Sequence, residues 1–417
     1  MTFLRPLIAF LLLTTSAGAA SLPGFRVETL VRAPGFVSSV VSDSNGIVYF
    51  TTTDGWISRV DGGQATRIAS LPTHAGGNGG LLGMALLDDR TAVVHYTTWN
   101  GPEDELAQVL DDVISRVDLV TGAERLLVAF PCDIHNRSNG ASPEHHGGNP
   151  TVAADGSIFV GIGEYGGFVI AQKPEWNGGK IWRIDADGNA DQWARGMRNP
   201  YDLAWDPELG RIVVGDNGES GGDELHVVDT GDNCGWPQTY GSHAPMEGAV
   251  QPVYVFDQTV APTGLARLDG ANPLLRRGYL LGAFVTSSIY YFPSVTAHPV
   301  PAPVAVVDHF GEFVIDVTQA KNGDILFGTA GMAGTAIHRL HVPARGDCNG
   351  DGSVDYRDVY PLVRELGDGD GHPMTAAQDG DYAGSWGCDA NADGLIGAAD
   401  LQALGALLSP RRRAVGR

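Results

Sequence analysis

Cysteine is scarce, with four residues in 417, too few for a disulfide-dense scaffold. Basic side chains are outnumbered: 27 Lys and Arg face 49 Asp and Glu, a formal net charge of −22. A surface of that sign repels nucleic acid and anionic membranes, so neither is expected as a partner. Beyond the first residues, no stretch approaches the ~20 uninterrupted apolar residues that a bilayer-crossing helix needs. The mature chain is therefore expected to lack a membrane span. Helical periodicity is missing from most of the sequence, while glycine is abundant at 57 residues and 43% of the chain is hydrophobic. That mixture suits many short strands joined by tight turns and is too apolar for disorder.

The N-terminus reads as a signal peptide over residues 1–19. Arg5 precedes an apolar run from Leu7 to Leu13, and Ala17-Gly18-Ala19 follows as a small-x-small cleavage site. The expected location is secreted, periplasmic or at the cell surface. An exported chain can form disulfides. Cys348 with Cys388 would staple the C-terminal region, and Cys132 with Cys234 would bridge the large one.

Six copies of one pattern occupy the large region, residues 22–343. In each, a turn with Gly, Asp or Asn leads into an alternating apolar strand, a gap and a second strand. The first copy is Asn45–Phe50 with Trp56–Val60 and the third is Asp155–Val160 with Lys180–Ile184. The others begin near Asp88, Gly210, Gly278 and Asn322. Strand pairs repeating about every 50 residues predict a six-bladed β-propeller, because no single blade can bury both its faces. The fold class expected is all-β, with a small α-helical module at residues 346–410.

That module opens with a loop whose oxygen donors fall at calcium-binding positions. Asp347, Asn349, Asp351, Ser353 (through its carbonyl), Asp355 and Asp358 stand at positions 1, 3, 5, 7, 9 and 12, with Gly352 at the sharp turn. A second loop repeats this with Asp389, Asn391, Asp393, Leu395 (carbonyl) and Asp400, and with Gly397 leaving position 9 to water. Short apolar helices are predicted after each loop, Val359 to Leu366 and Leu401 to Leu408. Aspartate at position 12, no helix before the loop and two copies in about 60 residues resemble the EF-hand-like repeats of dockerins. The resemblance implies calcium-dependent folding and docking to a cohesin-like partner. A calcium-stapled cap with no partner is the alternative. The basic tail Arg411-Arg412-Arg413 reads as a solvated end.

Polar signals gather between the strands, where propeller loops converge on the central channel. The sharpest is Glu144-His145-His146-Gly147-Gly148-Asn149-Pro150. Histidine is suited to take a proton near neutral pH, a neighbouring carboxylate can orient it, and the glycines let a large planar ligand approach. Around it stand Gly76 to Gly83, Gly163-Glu164-Tyr165-Gly166-Gly167, Gly196-Met197-Arg198-Asn199-Pro200, Gly222-Asp223-Glu224-Leu225 and Asn233-Cys234-Gly235-Trp236-Pro237. In this order and spacing the motifs resemble the soluble pyrroloquinoline-quinone (PQQ) glucose and aldose dehydrogenases, the glucose/sorbosone dehydrogenase superfamily.

The resemblance implies a calcium- and PQQ-dependent oxidation of an aldose to its lactone. His145 matches the general base, with Glu144 placed to orient it. Asn78 falls near the substrate. Arg198 and Asn199 match the pair beside the cofactor, the arginine stabilising charge on the reduced quinone oxygen. Carbonyls near Gly218 would hold the calcium that polarises the quinone, and Glu224 matches a ligand of a structural calcium. Two departures stand out. The cofactor carries three carboxylates, yet the late strand Gly282 to Tyr291 has no Arg or Lys, leaving Arg267, Arg276 and Arg277 as substitutes. Asn149 also stands where some members have a basic residue. A binding propeller for a glycan or protein, without the quinone, is the second reading. A calcium-dependent lactonase is a third, and it lacks the expected carboxylate cluster.

Overall fold

The computed structural model describes residues 20–22, 24–75, 78–100, 109–132, 144–272, 274–332, 334–368 and 385–409. Residues 1–19, Gly76, Gly77 and the Arg411–Arg413 tail lie outside them. The strands form six antiparallel sheets, each one blade. Blade 1 runs from Val37–Ser42 to Gln64–Ser70, blade 2 from Leu81–Leu86 to Glu124–Pro131, and blade 3 from Thr151–Val152 to Ala190–Arg195. Blade 4 runs from Pro200–Asp206 to Tyr254–Val255 and blade 5 from Pro262–Arg267 to Val304–Asp308. Blade 6 takes three strands from Phe313 to His341, and its fourth, Arg26–Ala33, comes from the other end of the chain. That exchange closes the ring with the backbone hydrogen bonds of an ordinary ladder.

Each of the six sequence repeats falls on the second and third strands of one blade, as in Val48–Thr52 with Trp56–Asp61. Their alternation reflects burial between neighbouring blades. Val160 and Ile162 pack with Val93 and Ile114 of the preceding blade, and Phe159 and Ile181 with Ile212 and Val214 of the next. The innermost strands carry a recurring irregularity one or two residues from their start, at Val37/Ser39, Pro200/Asp202 and Val314/Asp316 among others. Such a bulge re-aims the side chain that follows it. Ser39 thereby bonds Met84 O of blade 2, Asp202 accepts from Leu265 N of blade 5, and Asp316 from Val40 N of blade 1.

The C-terminal region holds two helices, α1 (Val359–Asp368) and α2 (Ala398–Leu408). Cys348 and Cys388 form a disulfide, as expected. Cys132 and Cys234 do not pair. Each is buried and free, the first packed with Ile158 and Ile162 and the second with Ile181 and Val228, in separate inter-blade cores. The small module is seated on the propeller. Trp386 is buried with Phe25 and Tyr291, its ring 5.1 and 5.7 Å from theirs. No helix among the described residues is long and apolar enough to cross a membrane.

Candidate active site

Each innermost strand starts at one end of the ring, and the turn between second and third strands returns to that same end. The loops there bring His145, Glu164, Arg198 and Asn199 together. His145 has φ +60°, an uncommon conformation for a residue with a Cβ. Neighbours hold it there: its carbonyl accepts from Tyr165 N at 3.4 Å. A Cβ on Gly163 would come within 2.2 Å of that same oxygen, so only glycine permits the approach. Gly147, at φ +80°, donates its N–H to Asn199 Oδ1 at 3.0 Å.

The carboxylate that orients His145 is Glu164, at 2.7 Å from Oε1 to Nδ1. It is fully buried, while the imidazole retains 13% of its exposure. Glu144, the sequence neighbour expected in this role, is exposed. The turn after Ile162, by contrast, brings Glu164 onto the imidazole. With Nδ1–H given to Glu164, the far nitrogen Nε2 is left as the proton acceptor. Glu164 is itself anchored to Arg198, whose carbonyl accepts its N–H at 2.9 Å.

Asp216 organises the other half. Its two oxygens accept the N–H groups of Arg198 at 3.0 Å and Asn199 at 2.7 Å. Burial, then the neighbouring Glu224, push its pKa up to about 6. Arg198 is half-buried, donates Nη1 to Asn217 O at 3.0 Å and lies 5.8 Å from the Trp236 ring. Its Nε is buried with no partner among the described residues. Gly218 follows Asn217 in the same loop, its N–H on Asp223 Oδ1 at 3.0 Å. Glu224 is buried beside Asp216 and His226, accepting from Gly241 N and lying 3.0 Å from His226 Nε2. Asn78 is exposed in the loop entering blade 2, at the same end of the ring.

Among the described residues, three further blades place apolar side chains at this end. Blades 5, 6 and 1 present Phe284, stacked on Phe313 at 4.3 Å, with Val285, Met332 and Phe36 exposed beside them. Arg267 and Arg277 do not reach this end. They pair with Asp206 and Glu208 where the innermost strand of blade 5 finishes, and Arg276 lies on that same connection. Asn149 sits lower in the channel, its amide on Asp202 at 3.1 Å.

In the C-terminal module the two loops repeat one hydrogen-bond pattern. Asp358 accepts from the N–H of Asn349 and Asp355, and Asp400 from those of Asn391 and Gly397. Asp347 accepts from Gly352 N and Asp389 from Gly394 N, both across the sharp turn. Asn349, Asp351, Asn391 and Asp393 each accept the N–H two residues on, that of Ser353 or Leu395 in the case of the aspartates. Burial and the other loop carboxylates raise the pKa of Asp347 and Asp389. Asp347 Oδ1 is buried without a partner among the described residues. Crowded carboxylates with an unsatisfied oxygen fit a cation with oxygen ligands.

The family model of glucose/sorbosone dehydrogenases matches residues 38–338. The chain is 24% identical over 206 residues to the aldose sugar dehydrogenase YliI of Escherichia coli, covering 43% of this chain and 55% of that one. It is 23% identical over 216 residues to quinoprotein glucose dehydrogenase B of Acinetobacter calcoaceticus, covering 42% and 43%. The matched stretch thus spans about half the length of these curated relatives. Among solved structures, the PQQ-bound aldose sugar dehydrogenase of Streptomyces coelicolor superposes with a TM-score of 0.63 at 22% identity. That match covers 77% of this chain and 100% of that one.

Proposed function

The chain belongs to the glucose/sorbosone dehydrogenase family, and from that premise we propose that it is an oxidoreductase acting on a sugar hydroxyl. The finer reading is an aldose oxidised to its lactone. The observation that carries the reading is the His145–Glu164 pair, a base with its proton fixed on the buried side and its acceptor nitrogen facing the loops. Nε2 takes the hydroxyl proton, and Glu164 stabilises the imidazolium that forms. Asn199 accepts from Gly147 N of the base loop, and Asp216 accepts from the N–H groups of Arg198 and Asn199, so one carboxylate anchors the segment that holds both.

PQQ is the proposed hydride acceptor, and the residues present fit its reacting end. Arg198, whose buried Nε has no partner among the described residues, and Asn199 would hold the ring oxygens, with carbonyls near Gly218 and a calcium ion beside them. When bound, the quinone supplies the two-electron acceptor that no side chain offers. Glu224 would serve a structural calcium. The far side of the opening presents Phe284, Val285 and Phe313 to the cofactor's carboxylates, and Arg32 next to them is already paired with Glu312 at 2.8 Å. That feature favours the second reading, a propeller that binds a glycan or protein without the quinone.

The module is proposed to be a dockerin-like calcium cap on an exported protein. Trp386, buried against Phe25 and Tyr291, supports the cap role. A cohesin-like partner would have exposed Tyr356, Tyr360 and Val363 to meet. Calorimetric titration of the calcium-loaded protein with PQQ tests the main reading. Tight, calcium-dependent binding weakened by Arg198→Ala supports the enzyme. No binding at high micromolar quinone transfers the assignment to the binding propeller.

A further inference from the structure

Behind the His145 loop lies a buried cluster that the proposed reaction does not use. Asp112 comes from the strand Val109–Asp118, Cys132 follows the strand Glu124–Pro131, and His146 precedes blade 3. Their exposures are 0, 1 and 1%. Asp112 Oδ2 is 3.2 Å from Cys132 Sγ and 3.2 Å from His146 Nδ1, and Sγ is 3.9 Å from Nδ1. Ligands about 2.0–2.3 Å from a tetrahedral ion lie roughly 3.3–3.8 Å from one another. The three separations bracket that range without any backbone movement.

The donor set is also selective. One sulfur, one imidazole and one carboxylate suit a borderline divalent ion of the zinc type rather than calcium or magnesium. Asp112 is oriented from behind: His95 Nε2 is 3.1 Å from Oδ1, and His95 Nδ1 is 2.9 Å from Gly148 O. Asp111, buried in the same strand, adds a second carboxylate whose field reaches Cys132. A divalent ion bound to a Cys132 thiolate would offset the field of these buried carboxylates.

We propose that Asp112, Cys132 and His146 form a structural site for a zinc-type divalent metal, with His95 supporting Asp112. The ion would pin His146 and, through the adjoining peptide, the left-handed His145 that serves as the base. Binding exchanges the thiol proton for a metal–sulfur bond and releases that proton to solvent, with no change of oxidation state.

The test uses the full chain with its calcium loops filled, and cobalt(II) as the probe. One equivalent of cobalt is expected to give a near-ultraviolet thiolate charge-transfer band and visible bands of tetrahedral intensity, both removed by zinc. The signals should persist in Cys234→Ser and vanish in Cys132→Ser, and His146→Asn should weaken zinc binding at least ~10-fold. Elemental analysis of the unsubstituted protein, which needs no variant to fold, should find one zinc per chain after exposure to excess. Zinc-free protein with both thiols reactive in denaturant, or a cobalt spectrum without the sulfur band, overturns the proposal and leaves a hydrogen-bonded cluster.

Discussion

Glu164 Oε1 lies 2.7 Å from His145 Nδ1, and that contact joins two loops 19 residues apart in sequence. Without it the imidazole is free to choose its tautomer. Replacing Glu164 with Gln should therefore lower kcat for sugar oxidation by roughly 10²-fold or more while leaving the melting temperature nearly unchanged. Glu144→Gln, at an exposed position, should leave kcat within about twofold of the parent, since surface changes seldom matter. Dye-coupled assays on PQQ-loaded protein measure both. Equal loss in the two variants would remove Glu164 from its orienting role.

Asp216→Asn keeps the shape of the clamp on Arg198 and Asn199 but replaces one accepting oxygen with a donor. One backbone N–H is then left facing an N–H group, a loss of about 1–3 kcal/mol. A fall in chemical stability of that order is expected, together with weaker quinone binding. Urea unfolding and calorimetry check the two effects separately.

Calcium removal should loosen the small module first, since among the described residues its hydrophobic cluster has six buried members, two of them the disulfide cysteines. Ligand present at 100 times its Kd stabilises the bound state by about 2.7 kcal/mol. Chelation is expected to expose Trp386, whose fluorescence should shift to the red, and Asp347→Asn or Asp389→Asn should reproduce the shift in part. An unchanged spectrum in excess chelator would show that the module holds without calcium.

Trp386 itself ties the module to the propeller. Its replacement by Ala removes a large buried side chain from between Phe25 and Tyr291 and should cost about 3–5 kcal/mol. Because the lost contacts lie on blades 5 and 6, the melting temperature of the propeller should fall as well. Calorimetry that shows only the module destabilised would mean the two parts unfold independently.

The central channel should make stability depend on pH. Asp202 and Asp316 share a cavity of about 260 Å³ with Ser39 and Asn149. Burial pushes Asp316 up to about 7 from an ordinary 3.8, and burial with the field of Asp316 raises Asp202. The folded chain thus keeps protons that the unfolded chain releases above about pH 4, so stability falls as pH rises from there towards 7. Asp316→Asn should flatten that slope, measured as the change in melting temperature between about pH 5 and about pH 8. A slope equal to the parent's would place the titrating group elsewhere.

The sequence by itself determined the blades. Strand pairs such as Val48–Thr52 and Trp56–Asp61 alternate because each is pressed between neighbours, and period and turn residues are local properties. The repeated acidic loops of the C-terminal module were local in the same way, since every proposed calcium ligand of each comes from one run of twelve residues. His145 and Arg198 were legible for a related reason: each sits in a short, glycine-flanked motif. What only the tertiary structure decided is which distant residues meet. Glu164 stood in a glycine-rich run that was visible, but nothing local said that its turn would fold onto His145 rather than leave Glu144 there. Cys132 and Cys234 could not be separated by counting, because their fate depends on which inter-blade core each enters. Asp216, Asp112 and His95 gave no signal, since alternating strands hide a buried acid among many exposed ones. Arg267, Arg276 and Arg277, offered as substitutes for the missing late-strand cations, lie at the opposite end of blade 5, because sequence proximity does not say at which end of a strand a side chain emerges. Local spacing fixes elements, whereas pairings across blades follow from closing the ring.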